Sequence, residues 1–84
     1  MDLRLSVSRE DEATVVHVDG RLAVQGVHDL QNTVGRVVGP VVLDLSHLLS
    51  ADNAGVVALR LLSGRGVQLR GTSPYFSLLL YGAT

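Results

Sequence analysis

The stretch Val41–Leu59, VVLDLSHLLSADNAGVVAL, changes its period halfway along. Its first part, VVLDLSHL behind Pro40, is a short apolar run, greasy enough on both faces to be a central strand. Its last part continues as VVALRLL and predicts a helix from about Ala54 to Ser63, closed by Gly64-Arg65-Gly66. Between them, LSADNAG (Leu49–Gly55) is a strand-to-helix corner. The first N–H groups of a helix have no intrahelical acceptor, and the dipole adds positive charge at that end. Asp52 or Asn53 can supply a capping oxygen there, worth about 1 kcal/mol.

Working outward, LRLSVSRE alternates with period two. Leu3, Leu5 and Val7 point one way and Arg4, Ser6 and Ser8 the other, the mark of a half-buried strand. Glu10-Asp11-Glu12 is a solvated turn, and ATVVHVDGRLA returns as the second strand of a hairpin. In VQGVHDLQNTVGRVV the period becomes helical. Val27, Leu30, Val34, Val37 and Val38 share one face, and His28, Asp29, Gln31, Asn32 and Arg36 form the wet one. Gly39-Pro40 ends that helix. VQLRGT is the fourth strand, and SPYFSLLLYGAT the last helix, with Ser73 as N-cap and Pro74 in the first turn. The expected order is ββαβαβα: an α/β fold with a mixed four-stranded sheet, three helices and right-handed crossovers. Two helices, AGVVALRLL and YFSLLLYG, are more apolar than a one-sided surface helix requires. Either a small domain spends every contact on its core, or another chain covers part of this surface.

Bulk properties narrow the function classes. The 84 residues make one small domain, 1–84, with an expected stability of roughly 5 kcal/mol. The apolar share of 46% and mean hydropathy of +0.32 set it apart from disordered chains. The absence of Cys excludes a disulfide framework, a thiolate zinc site and a Cys nucleophile. Net charge is −1, and the basic residues are all Arg, scattered from Arg4 to Arg70, so no basic stripe awaits nucleic acid. With no signal-like or membrane-spanning run, the expected location is the cytoplasm, without direct membrane insertion.

Catalytic patterns are not found. His17, His28 and His47 lack the spacing of a metal site, and His28-Asp29 point apart on a helix. No Gly-x-Ser-x-Gly elbow occurs, and SGRGV lacks the Lys and Ser/Thr of a phosphate loop. Asp44, a carboxylate inside a central strand run, reads as a strand-end residue bonding nearby backbone N–H groups. No cofactor or metal is expected.

VDGRLAVQGVHDLQNTV, VVLDLSHLLSADNAGVVAL and RGVQLRGTSPYFSLLLYGA together resemble the STAS domain, the family of sulfate transporters and anti-sigma-factor antagonists. The likeness runs through the whole chain. Its most specific part is hydrophobic-Asp-Leu-Ser leading to Asp-Ser-Ser/Ala-Gly-hydrophobic. It implies a βα superhelix, no enzymatic activity and a regulatory role in partner switching. In the antagonists of that family a serine after the motif Asp is phosphorylated by a kinase that is also the anti-sigma factor. A phosphate there is tolerated by the helix dipole, and its charge of about −1.5 to −2 disrupts the partner interface. In this chain Asp52 and Gly55 match the motif, but the phosphoacceptor position is Asn53, followed by Ala54. An amide accepts no phosphoryl group and carries no charge. The Gly-Glu-Leu-Asp that ends the second strand in several members reads Gly20-Arg21-Leu22-Ala23 here, without its acid.

The resemblance implies a bacterial protein-binding module whose partner surface comprises Ser50, Asp52, Asn53, Ala54, Gly55, Val57 and Arg60, with Asn53 as a degenerate phosphoacceptor. One expected partner is an anti-sigma factor of the kinase-like ATPase type, placing the chain in transcription regulation. Another is the ATPase subunit of a phospholipid (Mla-type) ABC transporter, with this chain as accessory subunit. A third role is scaffolding or homodimer formation, suggested by the apolar last helix. Ser50 is an alternative phosphosite at the same corner.

Overall fold

The pairing of strands follows from which stretches alternate and which run apolar. In the computed structural model, which describes residues 2–82, β1 (Arg4–Glu10) and β2 (Ala13–Leu22) form an antiparallel hairpin. Glu10 faces Ala13 across the turn, where Asp11 takes a left-handed φ of 55°, a conformation Asp tolerates. Next come α1 (Val24–Gly35), β3 (Val41–Asp44), β4 (Leu48–Ala51), α2 (Asn53–Gly64), β5 (Gln68–Arg70) and α3 (Pro74–Tyr81). The sheet order is β1-β2-β3-β5, with β2–β3 and β3–β5 parallel. The mixed α/β architecture with three helices is as expected.

The strand count is five rather than four. After β3, Asp44 accepts the Ser46 N–H and Leu48 donates back to Leu45, so the chain kinks out of the ladder and rejoins it. The rejoined piece, β4, runs parallel to the far end of the ten-residue β2, setting Ser50 opposite Arg21 and Ala51 opposite Leu22. A long β2 thus supports two short strands end to end.

Helix α1 stops one turn before the expected face ends. Val37 donates to Val34 in a tighter turn, Val37 is half-buried, and Val38 is 93% exposed. Gly35 at the helix end explains this, because glycine gives a helix little reason to continue. In α3, Ser73 accepts the Phe76 N–H and Pro74 opens the first turn, as the sequence predicts. Ala83 and Thr84, placed in that helix by the sequence, lie outside the described residues.

One core serves the whole chain. Leu30 of α1, Leu59 and Leu62 of α2, and Phe76 and Leu80 of α3 pack against Val16, Val18, Leu43 and Leu45. All three helices therefore lie on one face of the sheet. Alternation along the strands puts Ser6, Ser8, Glu10, Val15, His17, Val42, Asp44, Gln68 and Arg70 on the other. Leu3 and Leu5 of the first strand region are half-buried as expected. Val7 is 56% exposed, because it sits on the edge strand where helix cover ends.

Candidate functional site

The corner predicted from sequence is built around Asp52. Its backbone is extended, its N–H donates to the Leu22 carbonyl, and its own carbonyl accepts from Val56. Its carboxylate is divided between two helices. Oδ1 accepts the Gly55 N–H at 2.8 Å, capping α2, and Oδ2 accepts the Val24 N–H at 3.1 Å, the first N–H of α1. Ala23, the N-cap residue of α1, has no side-chain oxygen of its own. The acceptor that Ala23 lacks is thus supplied from across the corner, and one carboxylate sits at the positive ends of two dipoles.

Gly55 permits this arrangement. It is buried, and a Cβ there would lie 2.5 Å from the Leu22 carbonyl oxygen and 3.2 Å from Ala51 Cβ. Only the bare backbone lets α2 start so close to β2. Ala54 is half-buried beside it, whereas Ser50 and Asn53 are exposed. Asn53, Val57 and Leu61 recur every four residues on α2, so they share a stripe, and Val57 and Leu61 are each 51% exposed. Val24 and Leu49, at the start of α1 and on β4, are also exposed. The corner thus offers the neutral Asn53 amide and the Ser50 hydroxyl beside these apolar side chains, with the exposed Arg21 across from Ser50 on β2. Arg60 lies on the same face one step further along, and its Nη2 donates to the Leu79 carbonyl in the last turn of α3.

A second polar cluster escaped the sequence reading. On the open sheet face, Ser8 Oγ lies 3.0 Å from His17 Nε2, and His17 Nδ1 lies 3.5 Å from Asp44 Oδ2. Arg70 reaches Asp44 Oδ2 at 3.3 Å and grips both oxygens of Glu10 at 3.2 Å. Asp44 also accepts from the N–H and hydroxyl of Ser46, the local backbone bond the sequence suggested. The Ser46 hydroxyl, and after it the Ser46 N–H and Arg70, outweigh partial desolvation and hold the Asp44 carboxyl down at about 2. Arg70 likewise lowers Glu10, and the two acids keep Arg70 protonated.

Serine, histidine and aspartate in this order resemble a nucleophile with its base and orienting acid. The geometry says otherwise. The 3.5 Å His–Asp separation is too long for the orienting hydrogen bond, and Asp44 is already engaged by Ser46 and Arg70. What the cluster does is roof the sheet. The Glu10–Arg70 pair reaches from β1 to β5 over Val15 and Val42, which are 1% and 9% exposed without helix cover. Register would have revealed it, since Ser6, His17, Asp44 and Arg70 lie side by side across the four strands.

Neither a scan against protein-family models nor a search of curated proteins finds a match. Solved structures do match. The anti-sigma factor antagonist SpoIIAA in its unphosphorylated form superposes with a TM-score of 0.70 at 16% identity, covering 95% of this chain and 84% of that one. An anti-sigma-factor antagonist STAS domain from Rhodobacter sphaeroides gives 0.57 at 23% identity, covering 83% and 85%. Mglu gives 0.64 at 22% identity, and there the match covers 82% of this chain but 19% of the larger one. The agreement with SpoIIAA extends over nearly every element, and the chain has the STAS, SpoIIAA-like fold.

Proposed function

We propose that this chain is a protein-binding module of the anti-sigma-factor-antagonist type whose docking corner is not switched by phosphorylation at position 53. The observation carrying this reading is the exposed Asn53 at the first position of an otherwise intact corner, capped by Asp52 and closed onto β2 at Gly55. The module is non-enzymatic and cytoplasmic in this reading. Among the described residues, no helix is long and apolar enough to cross a membrane. Ser50, Asn53, Ala54 and Val57 provide the contact surface, while Asp52 and Gly55 shape it.

The partner is an ATPase of the anti-sigma kinase type. Titration calorimetry with a kinase-type anti-sigma factor from the same genome should show binding whether or not ATP has been supplied. The Asn53→Ser variant should bind first and then lose affinity as it takes up phosphate. Labelling of the unaltered chain at the corner, Ser50 included, would sink the proposal. So would the absence of binding by both forms.

A second reading has its own observation. Exposed Val24, Leu49, Val57 and Leu61 flank the neutral amide, which suits permanent rather than switched contact. An accessory subunit of a phospholipid (Mla-type) ABC transporter would use the surface so. Co-purification with the transporter's ATPase subunit, lost on Val57→Glu, is the expected result. Transporter genes beside this one would favour it, and kinase and sigma-factor genes the first reading.

A further inference from the structure

The corner and the roofed sheet face leave one long element unexplained, the outer edge of β1. Among the described residues it is the free edge of the sheet, seven residues held in unbroken register against β2. Natural edge strands are blunted by Pro, charged side chains (Lys above all), bulges or a covering loop, because a row of unpaired N–H and C=O groups templates further pairing. RLSVSRE contains no Pro and its pairing with β2 shows no register shift, so its edge is guarded by charge alone, from Arg4, Arg9 and Glu10, and a partner that supplies the opposite charges meets no other barrier.

The sequence of this edge is self-complementary. An antiparallel copy centred on Val7 sets Val7 against Val7, Ser6 against Ser8, Leu5 against Arg9 and Arg4 against Glu10. Each pair joins residues of the same sheet face, so outward backbone groups meet outward backbone groups and both helix layers fall on one side. Opposite charges meet at both ends of the ladder, and Val7, more than half exposed in one copy, is covered by its equivalent on the two-fold axis. Glu10 keeps half its side chain exposed while bonded to Arg70, leaving room for a second guanidinium, and Arg4 has only Asp19 opposite it within its own hairpin. Alternative registers fit worse. Centring on Ser6 sets Glu10 against Asp2, and centring on Ser8 runs Leu5 into the Asp11 turn.

We propose that two copies of this chain pair through β1 in the Val7-centred antiparallel register, forming a two-fold dimer with one continuous sheet. The surface is separate from the Asp52 corner, so the dimer stands whether or not the proposed partner does.

Sedimentation equilibrium of the full chain should show a monomer–dimer exchange. Arg4→Glu and Glu10→Arg should each weaken it about tenfold, since each turns two attractive pairs into repulsive ones. Mixing the two variants should restore the dimer, because each supplies the charge the other lacks, an outcome particular to this register. Circular dichroism checks that both variants fold, and Val7→Lys, which keeps the Arg4–Glu10 pairs but sets like charges against each other on the axis, should also give monomer. The chain has no native thiol, so Val7→Cys under mild oxidation should cross-link rapidly while Ser63→Cys does not. A monomer up to about 1 mM, a dimer indifferent to these substitutions and so formed by another surface, or a variant mixture that stays monomeric would each overturn the proposal.

Discussion

The corner and the open sheet face solve the same problem, carboxylates near the surface, in opposite ways. At the corner a single residue, Asp52, takes backbone N–H groups from two helices, so its partners come from the main chain. On the sheet face Asp44 and Glu10 share one Arg70, and the contacts join side chains from β1, β3 and β5. Backbone partners are fixed by the fold and cannot be mutated away. Side-chain partners can be exchanged one at a time, so the corner is a structural commitment and the sheet face an adjustable cover.

That difference predicts a gradient of effects. Gly55→Ala should be the most severe, because the added Cβ meets the Leu22 carbonyl rather than a yielding side chain. A loss of about 3 kcal/mol in urea denaturation is expected. Asp52→Ala should cost about 2 kcal/mol, twice an ordinary cap, because two helices lose their acceptor. Asp52→Asn keeps one acceptor oxygen and should recover about half of that. If Asp52→Ala cost no more than a single cap, the contrast between the regions would collapse.

The sheet face should give smaller effects that depend on pH. Asp44 titrates lower in the folded protein than its ordinary value of 3.8, so its stabilisation is complete above about pH 4 and lost as pH falls to about 2. Ser46→Ala removes the largest cause of that depression. It should reduce stability at neutral pH by about 1 kcal/mol, allowing for solvent screening, and flatten the pH 2–4 slope of acid unfolding. The smallest change belongs to Asn53. Its side chain is exposed, so Asn53→Ser should shift stability by less than about 0.5 kcal/mol, which makes that variant a clean probe of binding.

How far each region was legible follows from the range of its contacts. Hydrophobic period, Gly and Pro punctuation and capping residues located every helix, because those signals act within a few residues. Asp52 as a cap was legible for α2, where it lies three residues before Gly55. Its second bond, to Val24, spans 28 residues and has no local signature beyond the bare Ala23. The interruption between β3 and β4 was hidden because LDLSHLL keeps an apolar pattern while Asp44 and Ser46 bend the chain. The sheet-face cluster was illegible for the same reason, since Ser8, His17, Asp44 and Arg70 meet only once strand order and register are set. Glu10, read as part of a solvated turn, holds the far end of that cluster.

The Glu10–Arg70 pair has a kinetic consequence. Its partners lie 60 residues apart, in the first strand and the last, with β2 and β3 between them in the sheet. A contact of such long range is expected to form after the folding transition state, and unfolding kinetics test that expectation. Removing it with Glu10→Gln should leave the folding rate nearly unchanged and speed unfolding, so the roof over Val15 and Val42 acts as a latch on the finished molecule, setting how long it stays folded rather than how fast it gets there.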